Sequence, residues 1–381
     1  MNSPSFCRYE VMVTVKFSLM GALILIFGTL GSFFAGSAWA RQDIVPGSRY
    51  TSARAAAMSD AYLPLGDDGP SGLFYNPATL GRIRNPQFEG LNLSLYANSG
   101  YAGMFNIDFY NVASLSGYLK TLEKNPGTFA GAGFSVIPSA YMRGFAFGVL
   151  LQSHLGAVAN GDGTVRYRSV YQFVPTVGTG IRLAGGIVRL GYSLQWVNQA
   201  SGDFTVLTSD TPLGYNQGLA QGSGISHNLG FSLTLPIAYL PSLNLVGRNL
   251  FGVRFGTFSL LPLARNSIGA PANEPASYDA SFSIQPKVGG GSYFNFVLEY
   301  RDIFNQSKVS ALGRAVFGAE LSLKDHFYLR GGWGSGYPSA GIGLKRKGGE
   351  FALSWYSEEL GIGYHSLRDV RYMLQYQVRA F

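Results

Sequence analysis

Arg54, Asp60, Asp67, Asp68 and Asn76 fall within one stretch, residues 52–80, SARAAAMSDAYLPLGDDGPSGLFYNPATL. An arginine, three acids and an asparagine among small residues suit charge pairing and helix capping. Ser52 fits the N-cap of a helix Ala53 to Ala61, Pro70 the first turn of a second, and Asn76 the cap of a third that begins at Pro77. Buried, these charges need a partner or water. Elsewhere, His154, His227, His326 and His365 are scattered without a neighbouring nucleophile motif, and no G-x-S-x-G, HExxH or P-loop pattern occurs. Asn160-Gly-Asp-Gly-Thr164 lacks the further acids of a calcium loop and reads as a hairpin turn. The expectation is a non-enzyme with no metal or cofactor.

The elements that position the stretch begin with a leader. Lys16 precedes an uncharged run, Phe17 to Ala40, that ends Ala38-Trp39-Ala40. A basic flank, an apolar core and an Ala-x-Ala end predict a signal peptide over 1–40, cleaved before Arg41. Cys7 is the one cysteine, so the mature chain has no disulfide or thiolate site. Charged residues make up 13% of the chain, and glycine counts 51; soluble domains carry about 25% charge and about 7% glycine. Without a second long apolar run, that composition fits an all-β transmembrane antiparallel barrel, lipid-facing and lumen-facing residues alternating.

The alternation is legible. Ile225, Leu229, Phe231, Leu233 and Leu235 share one parity against Ser226, Asn228, Ser232 and Thr234; Val370, Tyr372, Leu374, Tyr376 and Val378 oppose Arg371, Gln375, Gln377 and Arg379. Strands are expected near 88–97, 128–142, 145–157, 165–183, 187–200, 223–235, 242–254, 277–286, 292–303, 308–323, 327–333, 338–346, 350–357 and 368–381, about 14 in all. Connections after even-numbered strands are short, as at Arg143-Gly144, and several after odd ones are long, notably 98–127, 201–222 and 255–276. Outer-membrane barrels keep short turns periplasmic and long loops outside. In the first long loop, Val112, Leu115, Leu119 and Leu122 predict an amphipathic helix, over the barrel mouth or packed on its neighbours. Three short helical pieces cannot span a membrane, which leaves 41–86 for the lumen or periplasm and 87–381 for the barrel. In the lumen, Arg166, Arg168, Arg182, Arg189 or Arg314 would supply counter-charges.

Arg54, Met58 and Ala61, then Asp67-Asp68, then Asn76-Pro77-Ala78 and Leu80, placed between a leader and a first strand, resemble the hatch of the FadL-like outer-membrane transporter superfamily. Asn249-Leu250, Glu299-Tyr-Arg-Asp302 and Leu329-Arg-Gly-Gly-Trp333 are similar too. The resemblance implies a fourteen-stranded barrel plugged by an N-terminal hatch, with Arg54, Met58, Asp67, Asp68, Asn76, Pro77 and Ala78 in gating, and inward movement of fatty acids or aromatic hydrocarbons. It implies as partners a hydrophobic small molecule or lipid, outer-membrane lipids and the barrel-assembly machinery. Exit in that family is often sideways through the wall; proline removes a ladder hydrogen bond, which makes Pro138, Pro175 and Pro286 candidate openings. Ala57, Ser59 and Asp60 stand where the family usually has glycines, and the apolar stripe of the last strand is off the parity of terminal Phe381, which a terminal bulge would reconcile.

PorV-like proteins, similar at this level, give a second reading, a scaffold for exported proteins. An apolar pocket continuous with a wall gap favours transport, and a packed lumen under a broad loop surface favours scaffolding. Removing Arg8, Lys16 and Glu10 with the leader takes the formal net charge from +8 to +7. That excess is dispersed apart from Lys345-Arg346-Lys347, which argues against nucleic acid as a partner.

Overall fold

The structure, a computed structural model, describes residues 49–66, 69–104, 115–207, 216–360 and 364–380. The leader, Asp67, Asp68, Val112 and Phe381 lie outside the described residues. Fourteen antiparallel strands among them close into one barrel. They are β1 Gln87–Asn98, β2 Phe129–Val136 resuming as Ser139–Met142, β3 Phe145–Ala159, β4 Thr164–Leu183, β5 Val188–Leu207, β6 Ala220–Thr234 and β7 Ser242–Arg248. The second half holds β8 Ser277–Ile284 resuming as Lys287–Gly289, β9 Ser292–Tyr300, β10 Ala315–Leu323, β11 Phe327–Gly334, β12 Tyr337–Arg346, β13 Gly349–Glu359 and β14 Arg368–Ala380. Pairing of β1 with β14 shuts the ring. Closure leaves no edge strand with bare N–H and C=O groups, the condition for crossing hydrocarbon. No helix among the described residues is long and apolar enough to cross a membrane.

Side chains sort by parity. On β3, Phe145, Phe147 and Leu151 are exposed while Ala146, Leu150 and Gln152 are buried. The β3–β4 register runs without a slip from Phe145↔Thr179 to Ala159↔Val165. β14 keeps its alternation through Val378, with Arg371, Gln375 and Gln377 buried and Tyr376 exposed. The irregularity expected there lies across the closing ladder instead, as a bulge between Glu89 and Leu91 on β1.

Strands β4 and β5 are each 20 residues long, about twice the 9–11 that a spanning strand needs, so they reach beyond the hydrocarbon band. Helix α3, Leu115–Glu123, covers that extension. Tyr118, Leu119 and Leu122 pack with Ala130, Ala157, Ala159, Val165 and Tyr167. Ala157 and Ala159 have the parity of Phe145 and Phe147, so α3 lies on the outer side of the wall. Packing on neighbours, the second of the two expectations, describes it. The loop Asn160–Thr164 is a hairpin turn, Asp162 Oδ1 accepting from the Thr164 amide at 2.9 Å.

Ahead of β1, the chain makes helix α1 Ala53–Ala56, helix α2 Gly69–Phe74 and a 3-10 helix Pro77–Arg82. Ser52 Oγ accepts from the Ala55 amide at 3.0 Å, and Asn76 Oδ1 from the Ala78 amide at 3.0 Å, as N-caps do. Pro77 is at the first helical position, as expected. α1 is shorter than the predicted Ala53 to Ala61: Ser59 and Asp60 adopt left-handed φ of 51° and 63°, which ends the helix and turns both side chains toward the wall.

Candidate functional site

The N-terminal pieces fill the barrel between its inward faces. Tyr62, Leu63, Leu73, Ala78 and Leu80 are fully buried, and Met58 with them. Two kinds of contact hold this plug. The first is backbone against glycine. A Cβ added to Gly191 of β5 would sit 2.1 Å from the Pro77 carbonyl, and one on Gly230 of β6 would sit 2.2 Å from Asn76 Oδ1. On the opposite wall a Cβ on Gly332 of β11 would lie 2.4 Å from the Met58 carbonyl carbon. Only glycine leaves room for the plug backbone at these places. Asn76 completes the first contact by donating its Nδ2 to the Leu63 carbonyl at 3.0 Å and to Ser232 Oγ of β6 at 3.2 Å.

The second kind is buried charge. Arg54 donates from Nε and Nη2 to both oxygens of Glu320 on β10, at 2.7 and 2.6 Å. Arg330 of β11 donates to the same carboxylate at 2.7 Å and to Glu350 of β13 at 3.1 Å, and Asn295 of β9 adds a fourth bond to Glu320 at 3.0 Å. Glu320 is fully buried, so its charge is held by four donors rather than by water. Asp60 accepts from the Tyr75 hydroxyl at 2.6 Å and faces Arg301 at 3.4 Å. Burial raises the Asp60 carboxyl above its usual range, against the pull of Arg301 and Tyr75. Glu299 on β9 accepts the Tyr62 and Leu63 amides at 3.0 and 3.2 Å.

Of the predicted residues, the structure therefore brings Arg54, Met58, Asn76, Pro77 and Ala78 into plug–wall contacts. The counter-charge of Asp60 differs from those expected, and the partners of Asp67 and Asp68 lie outside the described residues. Asp60 meets Arg301, while Arg166 pairs with Asp203 at a half-exposed site, Arg182 binds the Gly185 carbonyl, Arg189 binds Thr234 and Arg314 binds the Asp302 carbonyl. Arg54 belongs with acids of the wall, a pairing for which Glu320 and Glu350 were the available sequence signal. The histidines stay apart: His154 meets the Tyr96 hydroxyl at 3.1 Å, His227 meets that of Tyr192 at 2.7 Å, and His365 packs on Tyr337.

The three prolines interrupt ladders briefly. Pro138 lies between the two parts of β2, opposite the β1 bulge, with pairing to β1 resuming at Ser139↔Glu89 and the β3 register kept. Pro175 pairs with Val149 on β3, and the β4–β5 ladder omits two positions beside it without a slip. Pro286 sits near the β8–β9 turn, its carbonyl accepting from the Phe294 amide at 2.9 Å.

A larger break lies where the sequence predicted strand through residue 254. β7 ends at Arg248. Asn249 and Phe251 take left-handed φ of 48° and 69°, and pairing resumes only at isolated bridges Val253↔Glu274 and Ser223↔Gly256. Non-glycine residues in that region are strained and need their surroundings to hold them. Asn249 accepts from Ser226 Oγ at 2.7 Å, and its amide donates to Asn228 Oδ1 at 3.0 Å. From the plug side, Arg49 donates to Asn249 at 3.3 Å and pairs with Glu274. Outside the break, Trp196, Ile225, His227, Leu250, Phe251 and Arg254 line a recess of about 540 Å³.

No family model and no curated protein matches this chain. Among solved structures, similar ones include the Ralstonia pickettii toluene transporter TbuX, at 16% identity over 86% of this chain and 98% of that one, with a TM-score of 0.49. A Pseudomonas aeruginosa FadL homologue follows at 10% identity over 88% and 98%, TM-score 0.47. A TodX monoaromatic hydrocarbon channel, in a mutant form, matches at 12% identity over 80% and 92%, TM-score 0.44.

Proposed function

We propose that the protein is an outer-membrane channel for passive uptake of hydrophobic small molecules, with residues 41–86 as the hatch that closes it. The observation that carries this reading is a plug seated inside a closed barrel and joined to it by side-chain bonds, ion pairs and close packing on glycine. Arg54, Asp60 and Asn76 each hold the plug through bonds to a different part of the wall. The two undescribed acids, Asp67 and Asp68, join Met58, Pro77 and Ala78 in the gating set by their place in the hatch motif. The rest of the plug packs Tyr50, Tyr62, Leu63, Leu73 and Phe74 into one buried apolar cluster; movement of the hatch would bare it to a fatty-acid-like or aromatic solute, which gains about 25 cal/mol per Å² of apolar area buried. Lipopolysaccharide hinders direct partitioning of such solutes, which gives a protein route its use.

Deletion of residues 41–86 tests the reading. In planar bilayers the shortened barrel is expected to conduct ions where the full chain is closed, and cells bearing the full chain are expected to take up a radiolabelled alkylbenzene or fatty acid faster than cells without it. Unchanged conductance would sink the plug assignment. A conducting deletion together with uptake no faster than in cells lacking the chain would sink the transport assignment and favour the scaffold reading.

A further inference from the structure

The recess at the 249–252 break faces away from the lumen. Trp196 and Ile225 share parity with Leu190 and Leu229, all 40–52% exposed, whereas Gln195, Ser226 and Asn228 point inward and are buried. Phe251 is 89% exposed and Phe258, next to Trp196, 63% exposed. Inside, the way is shut by Asn249, only 9% exposed and tied to Ser226, Asn228 and Arg49. An occupant of this recess therefore arrives from the bilayer and not from the barrel.

Charge narrows what that occupant is. Arg254 lines the recess and is exposed. Its side chain makes no hydrogen bond or ion pair among the described residues, while its neighbours Val253 and Phe255 turn inward and are buried. A guanidinium beside an apolar slot on the outer face of the barrel matches an amphiphile with an anionic head, and its fork geometry suits phosphate. His227, which meets the Tyr192 hydroxyl through Nδ1, also lines the recess.

We propose that this wall break is a binding site for an anionic phospholipid-type molecule of the surrounding membrane: one acyl chain lies between Trp196, Ile225, Leu250 and Phe251, and the phosphate meets Arg254. The inference rests on the membrane-spanning barrel and is independent of what the barrel transports. It explains why Phe251 stands bare in a strained backbone: the lipid chain supplies the packing that the protein omits.

The test uses the full chain in phosphatidylcholine nanodiscs that contain a minor fraction of phosphatidylglycerol with brominated chains, which quench tryptophan on contact. The Trp196 signal is taken as the difference between the wild type and Trp196→Phe. Brominated phosphatidylglycerol is expected to be enriched at Trp196 over the same fraction of brominated phosphatidylcholine by about fivefold, the effect of one arginine beside an anionic lipid, and Arg254→Gln is expected to remove the excess. Heat-modifiable electrophoretic mobility confirms that each variant remains a folded barrel. Equal quenching by the two lipids, or an excess that survives Arg254→Gln, overturns the proposal. So does an excess shown only by a brominated free fatty acid, which would mark the recess as a carboxylate-solute site.

Discussion

The plug grips its barrel differently on its two sides. Toward β4–β6 the Asn76-Pro77-Ala78 turn is pressed against Gly191 and Gly230 with no charge in the contact. Toward β10–β13, Arg54 enters a lattice of Glu320, Arg330 and Glu350 in which every charge is at least 90% buried. The neutral side depends on shape, and any added atom is felt at once. The charged side depends on each partner staying, because a desolvated charge without its mate is worse than no charge at all. The β10–β13 side also has a glycine seat, Gly332 against Met58, so what separates the two footings is the buried charge that only one of them carries.

The largest effect is expected from Glu320→Ala, which strands Arg54 and Arg330 together. Loss of one partner from a buried pair costs about 3–5 kcal/mol, to be read from urea unfolding of the barrel in lipid vesicles; a change no larger than at a surface site would show that water already reaches the lattice. Gly191→Ala comes next. Overpacking by one methyl against the Pro77 carbonyl is expected to cost about 1–3 kcal/mol and to raise open-channel conductance by lifting the turn. If conductance stays at the wild-type level, the neutral footing does not position the plug.

Asn76→Ala removes a cap and two bonds, with an expected cost of about 0.5–2 kcal/mol and a faster exchange of the Ala78 amide with deuterium. Equal exchange in the two proteins would assign the turn's rigidity to the glycine seats alone. The smallest change is expected at Arg166→Ala, whose pair with Asp203 is 35–40% exposed: at most about 1 kcal/mol, weakened further by salt. A conductance change there would mean that the loops, and not the plug, set the closed state.

Much of the barrel was legible because its signal is local. Ile225, Leu229 and Phe231 against Ser226, Asn228 and Ser232 state a strand with one face in lipid, and the count of fourteen followed from repeating that reading. The plug was legible in kind, through the caps at Ser52 and Asn76. Errors arose where distant residues overrule the local pattern. Helix α1 stops at Ala56 because Asp60 is drawn to Tyr75 and Arg301, 15 and 241 positions away in sequence. The break in β7 was invisible because Asn249 is held by Asn228, Ser226 and Arg49, none of which is near it in the chain. The outer position of α3 escaped notice because an amphipathic stripe says that a face is covered and not which surface covers it.

The amino-acid sequence by itself determined that this chain alternates between lipid and lumen, that its turns and loops fall on opposite ends, and that a capped, charge-bearing stretch precedes the wall. Those properties depend on period-two patterning and on side chains within a few residues of each other. Tertiary structure alone decided which charges meet, which glycines receive the plug backbone, and where the wall gives way. Each of those is a contact between segments brought together only when β14 closes on β1, and closure is what converts separate strands into an inside and an outside.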